Sequence, residues 1–277
     1  MQKFLLLCAV IVVGIFFWIS NQKEKPAIYG KPQVSPSPTV KPTPTPLPIP
    51  KHSGRQIRVP ILTYHYIGNN PNPQDKARDA LQVTPDKFES QMKYLSENGY
   101  NPITLDTLYA ALKGGELPSK SVVLTFDDGY IDFYHNAFPV LKRYGFRSIV
   151  FIPTGLVGGS YYMSWDQIKE IDASNLVAFE SHSVNHVNLV SIPVDQLKYQ
   201  LEESKRVLEQ QLGKSINFFA YPYGLSDETT WKAVENAGFL GGVGTWYGNI
   251  VSEGVAFDMP RIKISGEMDL AAFASRL

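Results

Sequence analysis

Ser121-Val122-Val123-Leu124-Thr125-Phe126-Asp127-Asp128-Gly129 is the stretch on which the reading of the fold turns. Six β-favouring residues predict a strand with no polar alternation, as in a parallel sheet covered on both faces. The strand stops at two carboxylates and a glycine, so its C-terminal end carries charge where its body carries none. Similar apolar runs stand at 59–66, 147–152, 176–179, 216–222, 239–244 and 261–264.

Helical signals fill the gaps. Thr84-Pro85 reads as a cap and first-turn proline, with Val83 and Phe88 as a hydrophobic staple and Gly99 as the stop. Ser164 and Gln167 have the spacing of a capping box, and Leu197, Leu201, Leu208 and Leu212 form one stripe. Seven strands alternating with helices predict an α/β fold, a distorted (β/α) barrel, with an open doubly wound sheet as the alternative.

The N-terminal portion is of another kind. Residues 4–19 are continuously apolar, Trp18 stands at an interface position, and no small-x-small cleavage site precedes Asn21. The run is short for a span, which needs about 20 residues. The expectation is a membrane anchor at 1–20, or a secreted chain if the run is a cleaved signal. Residues 21–54 are rich in Pro, Ser and Thr; their polyproline II stretch reaches on the order of 60 Å at ~3.1 Å per residue. The folded domain then spans 55–277, outside the membrane. The 26 basic and 26 acidic residues cancel, leaving no field for nucleic acid. A single cysteine, Cys8, excludes an internal disulfide framework.

Candidate chemistry collects at strand ends. Asp127 and Asp128 follow one strand, His182 and His186 another, Tyr223 and Gly224 a third, and His65 ends the first. Barrel enzymes build their sites at that face. Each group alone has a plainer reading: Asp-Asp-Gly as a turn, either histidine as core or solvated. Together, two histidines at i and i+4 on one helical turn and one carboxylate suit a catalytic Zn²⁺, while the adjacent aspartate is free to act as a base. A two-His, one-carboxylate iron oxygenase does not need paired aspartates. A glycosidase needs carboxylates facing each other across several ångströms, which sequence neighbours do not provide.

These segments resemble the polysaccharide deacetylase family with its NodB-like domain, over roughly residues 57–265. Thr125-Phe126-Asp127-Asp128-Gly129, His182-Ser183-Val184-Asn185-His186 and Tyr221-Pro222-Tyr223-Gly224 look like its three motifs in order. The resemblance implies Asp127 as base, Asp128, His182 and His186 as ligands of one divalent ion, and the Tyr223 N–H as an oxyanion donor. The expected sugar contacts are Tyr221, Pro222 and Trp165. It implies an extracellular aminosugar polymer as partner: poly-N-acetylglucosamine, peptidoglycan glycan or a chitin-like chain. Two departures matter. Ala220 stands where an Arg usually orients the base, which leaves a catalytically silent carbohydrate-binding domain as the alternative and Arg261 as the expected substitute. The usual late Leu-x-x-His is absent. The early Leu62-Thr63-Tyr64-His65 is similar to the poly-N-acetylglucosamine deacetylase branch, which implies His65 as the acid.

Overall fold

A computed structural model describes residues 52–277 apart from Pro73. The expected anchor at 1–20 and the linker up to residue 51 lie outside the described residues. No described helix is long and apolar enough to cross a membrane.

All seven expected strands form. They are β1 Ile61–Tyr64, β2 Ser121–Phe126, β3 Ser148–Ile152, β4 Val177–Ser181, β5 Phe218–Ala220, β6 Gly241–Val243 and β7 Ile262–Lys263. The sheet runs β6-β5-β4-β3-β2-β1-β7 and every neighbouring pair is parallel. Residues Asn101–Pro102 add a short parallel strand against the start of β2. Between β6 and β7 no strand ladder closes the circle. The chain before β7 runs beside β6 instead, through one parallel bridge from Val243 to Met259 and the Gly244 N–H bond to Met259 O. The result is an incomplete, distorted α/β barrel.

Period-two alternation divides each strand between two apolar layers. Ile61, Val123, Ile149, Phe151, Phe218, Ala220 and Val243 face inward and share a cluster with Leu105, Leu108 and Leu112 of α2 (Leu105–Leu112). Leu62, Leu124, Phe126, Val150 and Phe179 face outward, under helices that include α1 (Pro85–Glu97), α3 (Phe138–Tyr144), α4 (Trp165–Asp172) and α5 (Val194–Leu212). Phe126 packs against Tyr64, Phe88 and Phe133. Truncating it to alanine is expected to cost about 3–5 kcal/mol.

Local signals are realised where side chains decide them. The Ser164–Gln167 capping box makes both its bonds, at 3.3 and 2.9 Å. Thr84 precedes α1 without a side-chain cap bond; Pro85 at the first position has no N–H to satisfy, and Val83 and Phe88 are both buried. On α5 the stripe carries Leu197, Leu201 and Leu208 into the core, with Leu212 at its margin. The first strand is shorter than its apolar run. It ends at Tyr64, and Tyr66–Ile67 leaves to pair with Gln82–Val83 in a separate two-stranded sheet. His65 therefore sits at the break, where the backbone changes direction.

Candidate active site

Four loops meet above the C-terminal ends of β1, β2, β4 and β5 around a cleft of about 540 Å³. Its lining includes His65, Asp127, Asp128, His182, His186, Tyr221 and Tyr223. Of the six non-glycine residues with positive φ among those described, four are here: Asp128 at 73°, Ser183 at 68°, His186 at 52° and Tyr223 at 61°. Such backbone is costly for residues with a Cβ, and it concentrates where loops must aim side chains.

Asp128, His182 and His186 offer donor atoms that all lie within 4.8 Å of one another. Both imidazole Nε2 atoms point to one carboxylate oxygen, Asp128 Oδ1, at 3.4 Å for His182 and 3.1 Å for His186. Ligands held about 2.0–2.1 Å from a tetrahedral zinc ion are roughly 3.3 Å apart, so the three atoms fit the edges of such a site. The buried His182 donates its Nδ1–H to Ala220 O at 2.7 Å, since a carbonyl only accepts, so in the neutral ring it is Nε2 that carries the lone pair. Burial raises the Asp128 pKa, but its hydrogen bonds with the two histidines prevail and hold it well below the ordinary carboxylate range. Burial likewise lowers His182, and its bond to Asp128 returns it above the usual value.

The helical turn expected for His182 and His186 is not there. The segment is a loop, because the positive φ at Ser183 curls the chain as a helix does not. Side chains hold the curl: Ser183 Oγ accepts from His186 N at 3.0 Å, and Gln200 Oε1 accepts from Val184 N and Asn185 N at 3.0 and 2.9 Å.

Asp127 is directed into a different environment. Arg261, almost fully buried, donates Nη1 to Asp127 Oδ1 at 2.8 Å and Nη2 to Oδ2 at 2.7 Å. The same guanidinium bonds Thr125 Oγ1 at 3.2 Å and Gly244 O at 2.7 Å, so its orientation is fixed from three sides. Burial pushes Asp127 up, but Arg261 and then His182 bring it below its ordinary value. The place left by Ala220, whose side chain faces the inner core, is thus filled from a segment more than a hundred residues later in the chain than Asp127.

His65 Nε2 lies 3.9 Å from Asp127 Oδ2, and its Nδ1 is buried without a partner among the described residues. The neighbouring carboxylates do not raise this imidazole above its ordinary pKa. Burial lowers its pKa, and Asp127 and Asp128 recover only part of that shift, with Arg261 opposing them. Tyr223 is exposed, its ring edge-on to His186 at 4.7 Å, and no described residue accepts from its N–H. Gly224 beside it has positive φ, and a Cβ there would collide with Thr245. Tyr221 lines the cleft, with its hydroxyl tied to Phe257 O at 2.6 Å. Pro222 is buried and outside the lining, and Trp165 is half-buried against the outer core at the start of α4. The structure does not bring these two expected sugar contacts into the cleft: Trp165 opens a helix whose apolar side packs on the sheet, so its ring follows that packing. Leu81, Tyr130, Thr245 and Lys263 line the cleft instead. Of these only Tyr130 had a signal in the sequence, as the residue directly after Asp127-Asp128-Gly129.

A family model described as polysaccharide deacetylase matches residues 114–241. YxkH of Bacillus subtilis, whose name places it among polysaccharide deacetylases, is 32% identical over 222 residues, covering 80% of this chain and 76% of that one. The chain belongs to the polysaccharide deacetylase family. It is therefore one of a family of hydrolases. The poly-β-1,6-N-acetyl-D-glucosamine N-deacetylase of Staphylococcus aureus (strain MRSA252) is 30% identical, over 67% of this chain and 68% of its own length. Among solved structures, the Streptococcus pyogenes deacetylase PplD in complex with acetate aligns with a TM-score of 0.74 at 32% identity. That match covers 80% of this chain and 99% of the other.

Proposed function

We propose that this polysaccharide deacetylase is a metal-dependent N-deacetylase of an extracellular aminosugar polymer, poly-N-acetylglucosamine in the first place. The observation that carries the reading is the convergence of Asp128, His182 and His186 beside an Asp127 held in a two-pronged grip by Arg261. The activity named for the Staphylococcus aureus relative supports the polymer. Peptidoglycan glycan and chitin-like chains carry the same N-acetyl group and are the competing substrates.

In this reading Asp128, His182 and His186 hold one divalent ion, zinc by its donor set. Bound there, the ion supplies a Lewis acid for the acetyl carbonyl and acidifies water. Asp127 takes a proton as the water oxygen bonds to the carbonyl carbon. Arg261 keeps that carboxylate ionised and aimed. The Tyr223 N–H, which has no intramolecular acceptor among the described residues, donates to the oxygen on which negative charge develops. His65 passes a proton to the nitrogen as the carbon–nitrogen bond breaks, so that an amine leaves rather than its anion. The products are acetate and a free amino sugar. Tyr221 borders the bound sugar. The Arg261 grip argues against a silent binding domain, since it restores the orienting cation missing at Ala220. The apolar run at 4–19 and the proline-rich segment support a domain held outside the membrane on a spacer.

Acetate release from poly-N-acetylglucosamine, peptidoglycan glycan and chitin oligomers tests the substrate, and metal analysis tests the site. About one equivalent of divalent metal per chain is expected, lost in His182→Ala. Full activity in metal-stripped protein sinks the metal reading.

A further inference from the structure

Glu180 belongs to no motif, does not line the cleft, and is nearly fully buried inside the barrel. Its Oε2 accepts from two successive backbone groups at the entry of β5, Asn217 N at 2.9 Å and Phe218 N at 2.8 Å. The ladder between its own strand and β5 explains why a side chain is needed. The β3–β4 ladder runs through five residue pairs, from Ser148 and Val177 to Ile152 and Ser181. The β4–β5 ladder has a single pair, Ser181 with Phe219. On one side of that pair Glu180 ties β4 to Asn217 and Phe218. On the other, His182 Nδ1 ties β4 to Ala220 O at 2.7 Å. Side-chain bonds from Glu180 and His182 therefore flank the one backbone pair between β4 and β5.

We infer that Glu180 is a positioning residue for His182: by clamping the entry of β5 it places the Ala220 carbonyl that fixes the ring with Nδ1 protonated and Nε2 free. The inference rests on the proposed role of His182 as a metal ligand, for which a free Nε2 is the requirement. An apolar residue of similar size fills the same volume but leaves the Asn217 and Phe218 N–H groups unpaired inside the barrel, and β5 is then tied to β4 by the Ser181–Phe219 pair and the His182 bond alone. Glutamine keeps an acceptor oxygen at the same reach. Aspartate keeps the carboxyl group but is one methylene too short to reach both groups.

The test compares Glu180→Leu, Glu180→Asp and Glu180→Gln in the full-length chain. Leu208→Ala serves as a control that loosens the outer core away from the site. The first readout is the ¹⁵N spectrum of the His182 ring in metal-free protein, at a pH where the imidazoles of the site are neutral. The second is zinc affinity by competition with a chelator. The parent, Glu180→Gln and Leu208→Ala are expected to show the Nδ1–H tautomer alone. Glu180→Leu and Glu180→Asp are expected to show a mixture of tautomers and a zinc affinity roughly 10–100-fold lower. Glu180→Asp carries the comparison if Glu180→Leu does not fold. The inference is overturned if the folded variants keep a pure Nδ1–H tautomer, or if Leu208→Ala loses as much zinc affinity as they do. Weak zinc binding in the parent itself counts against the metal reading, and the tautomers then still decide for or against Glu180.

Discussion

Two aspartates on the segment after β2 each face an arginine, and the two pairs end in opposite states. Asp127 receives both prongs of the Arg261 guanidinium at 2.8 and 2.7 Å. Asp132 has Arg78 no nearer than 3.8 Å, and its Oδ1 is buried without a partner among the described residues. The Arg78 guanidinium lies 4.0 Å over the Tyr66 ring instead, in a stack that continues through Tyr130. Burial raises both carboxyl groups. At Asp127 the guanidinium, with His182 behind it, overcomes burial and the pKa falls below its ordinary value; at Asp132 burial prevails and the pKa is pushed up to about 6. An opposite charge in the neighbourhood is thus not enough. Parallel hydrogen bonds from a fixed donor keep a buried carboxylate ionised, and a cation shared with an aromatic face does not. The base proposed for the cleft needs the first arrangement, because the ionised carboxylate is the form that takes a proton from water.

The most severe way to break the contrast is to remove the grip. Arg261→Met leaves Asp127 buried with no cation, and about 3–5 kcal/mol of stability is expected to go with it. Turnover is expected to fall roughly 10²–10⁴-fold, the range for losing a working base. The acid limb of the activity profile is expected to move to higher pH, because an unpaired buried carboxyl holds its proton longer. Arg261→Lys restores charge without the fork and should recover little. Denaturant unfolding with a pH–rate profile checks this, and an unmoved acid limb refutes the grip as the cause of ionisation.

His65 sharpens the same comparison from the other side of Asp127. Burial lowers the His65 pKa by more than Asp127, at 3.9 Å, and Asp128 return, and Arg261 opposes them. His65→Ala is expected to lower turnover about 10²–10⁴-fold with metal content unchanged. Normal turnover in that variant removes His65 from the reaction, and loss of metal makes it a ligand or a folding residue.

How far these arrangements were legible follows from what each depends on. The seven strands depend on local apolar runs, and those are visible in any window of the sequence. The proposed metal triad was legible as a set of residues, but its loop was not. The i, i+4 spacing of His182 and His186 suits a helix, whereas the chain reaches the same convergence through positive φ at Ser183 and His186, where no glycine signals it. Arg261 is paired across 134 positions of sequence, so no local pattern shows the pairing, and it was the resemblance that pointed to this residue. Glu180 and Lys263 carry no motif. The work of Glu180 depends on β4 and β5 diverging beyond one residue pair, a property of the assembled sheet. Trp165 failed in the opposite sense, as a conspicuous aromatic whose helix turns it towards the core.

The smallest expected effect is the most discriminating, because it concerns the loose pair alone. Asp132 has an ordinary pKa of 3.8, raised by burial to about 6 in the folded chain. Between those values the folded state binds more protons than the unfolded one, so stability falls as pH rises. The contribution is fully present below about 3.8 and is lost as pH passes through about 6. Each tenfold difference in proton affinity between the two states is worth about 1.4 kcal/mol, so the loss is on the order of 3 kcal/mol or less. Asp132→Asn removes the titrating group and cannot ionise. It is expected to match the parent near pH 4, to exceed it by about 1–3 kcal/mol near pH 8, and to lose the slope between. Urea unfolding at the two pH values measures this directly. If Arg78 instead stabilises the ionised Asp132 as Arg261 does Asp127, the variant is the weaker protein near pH 8, and the contrast between the two pairs disappears.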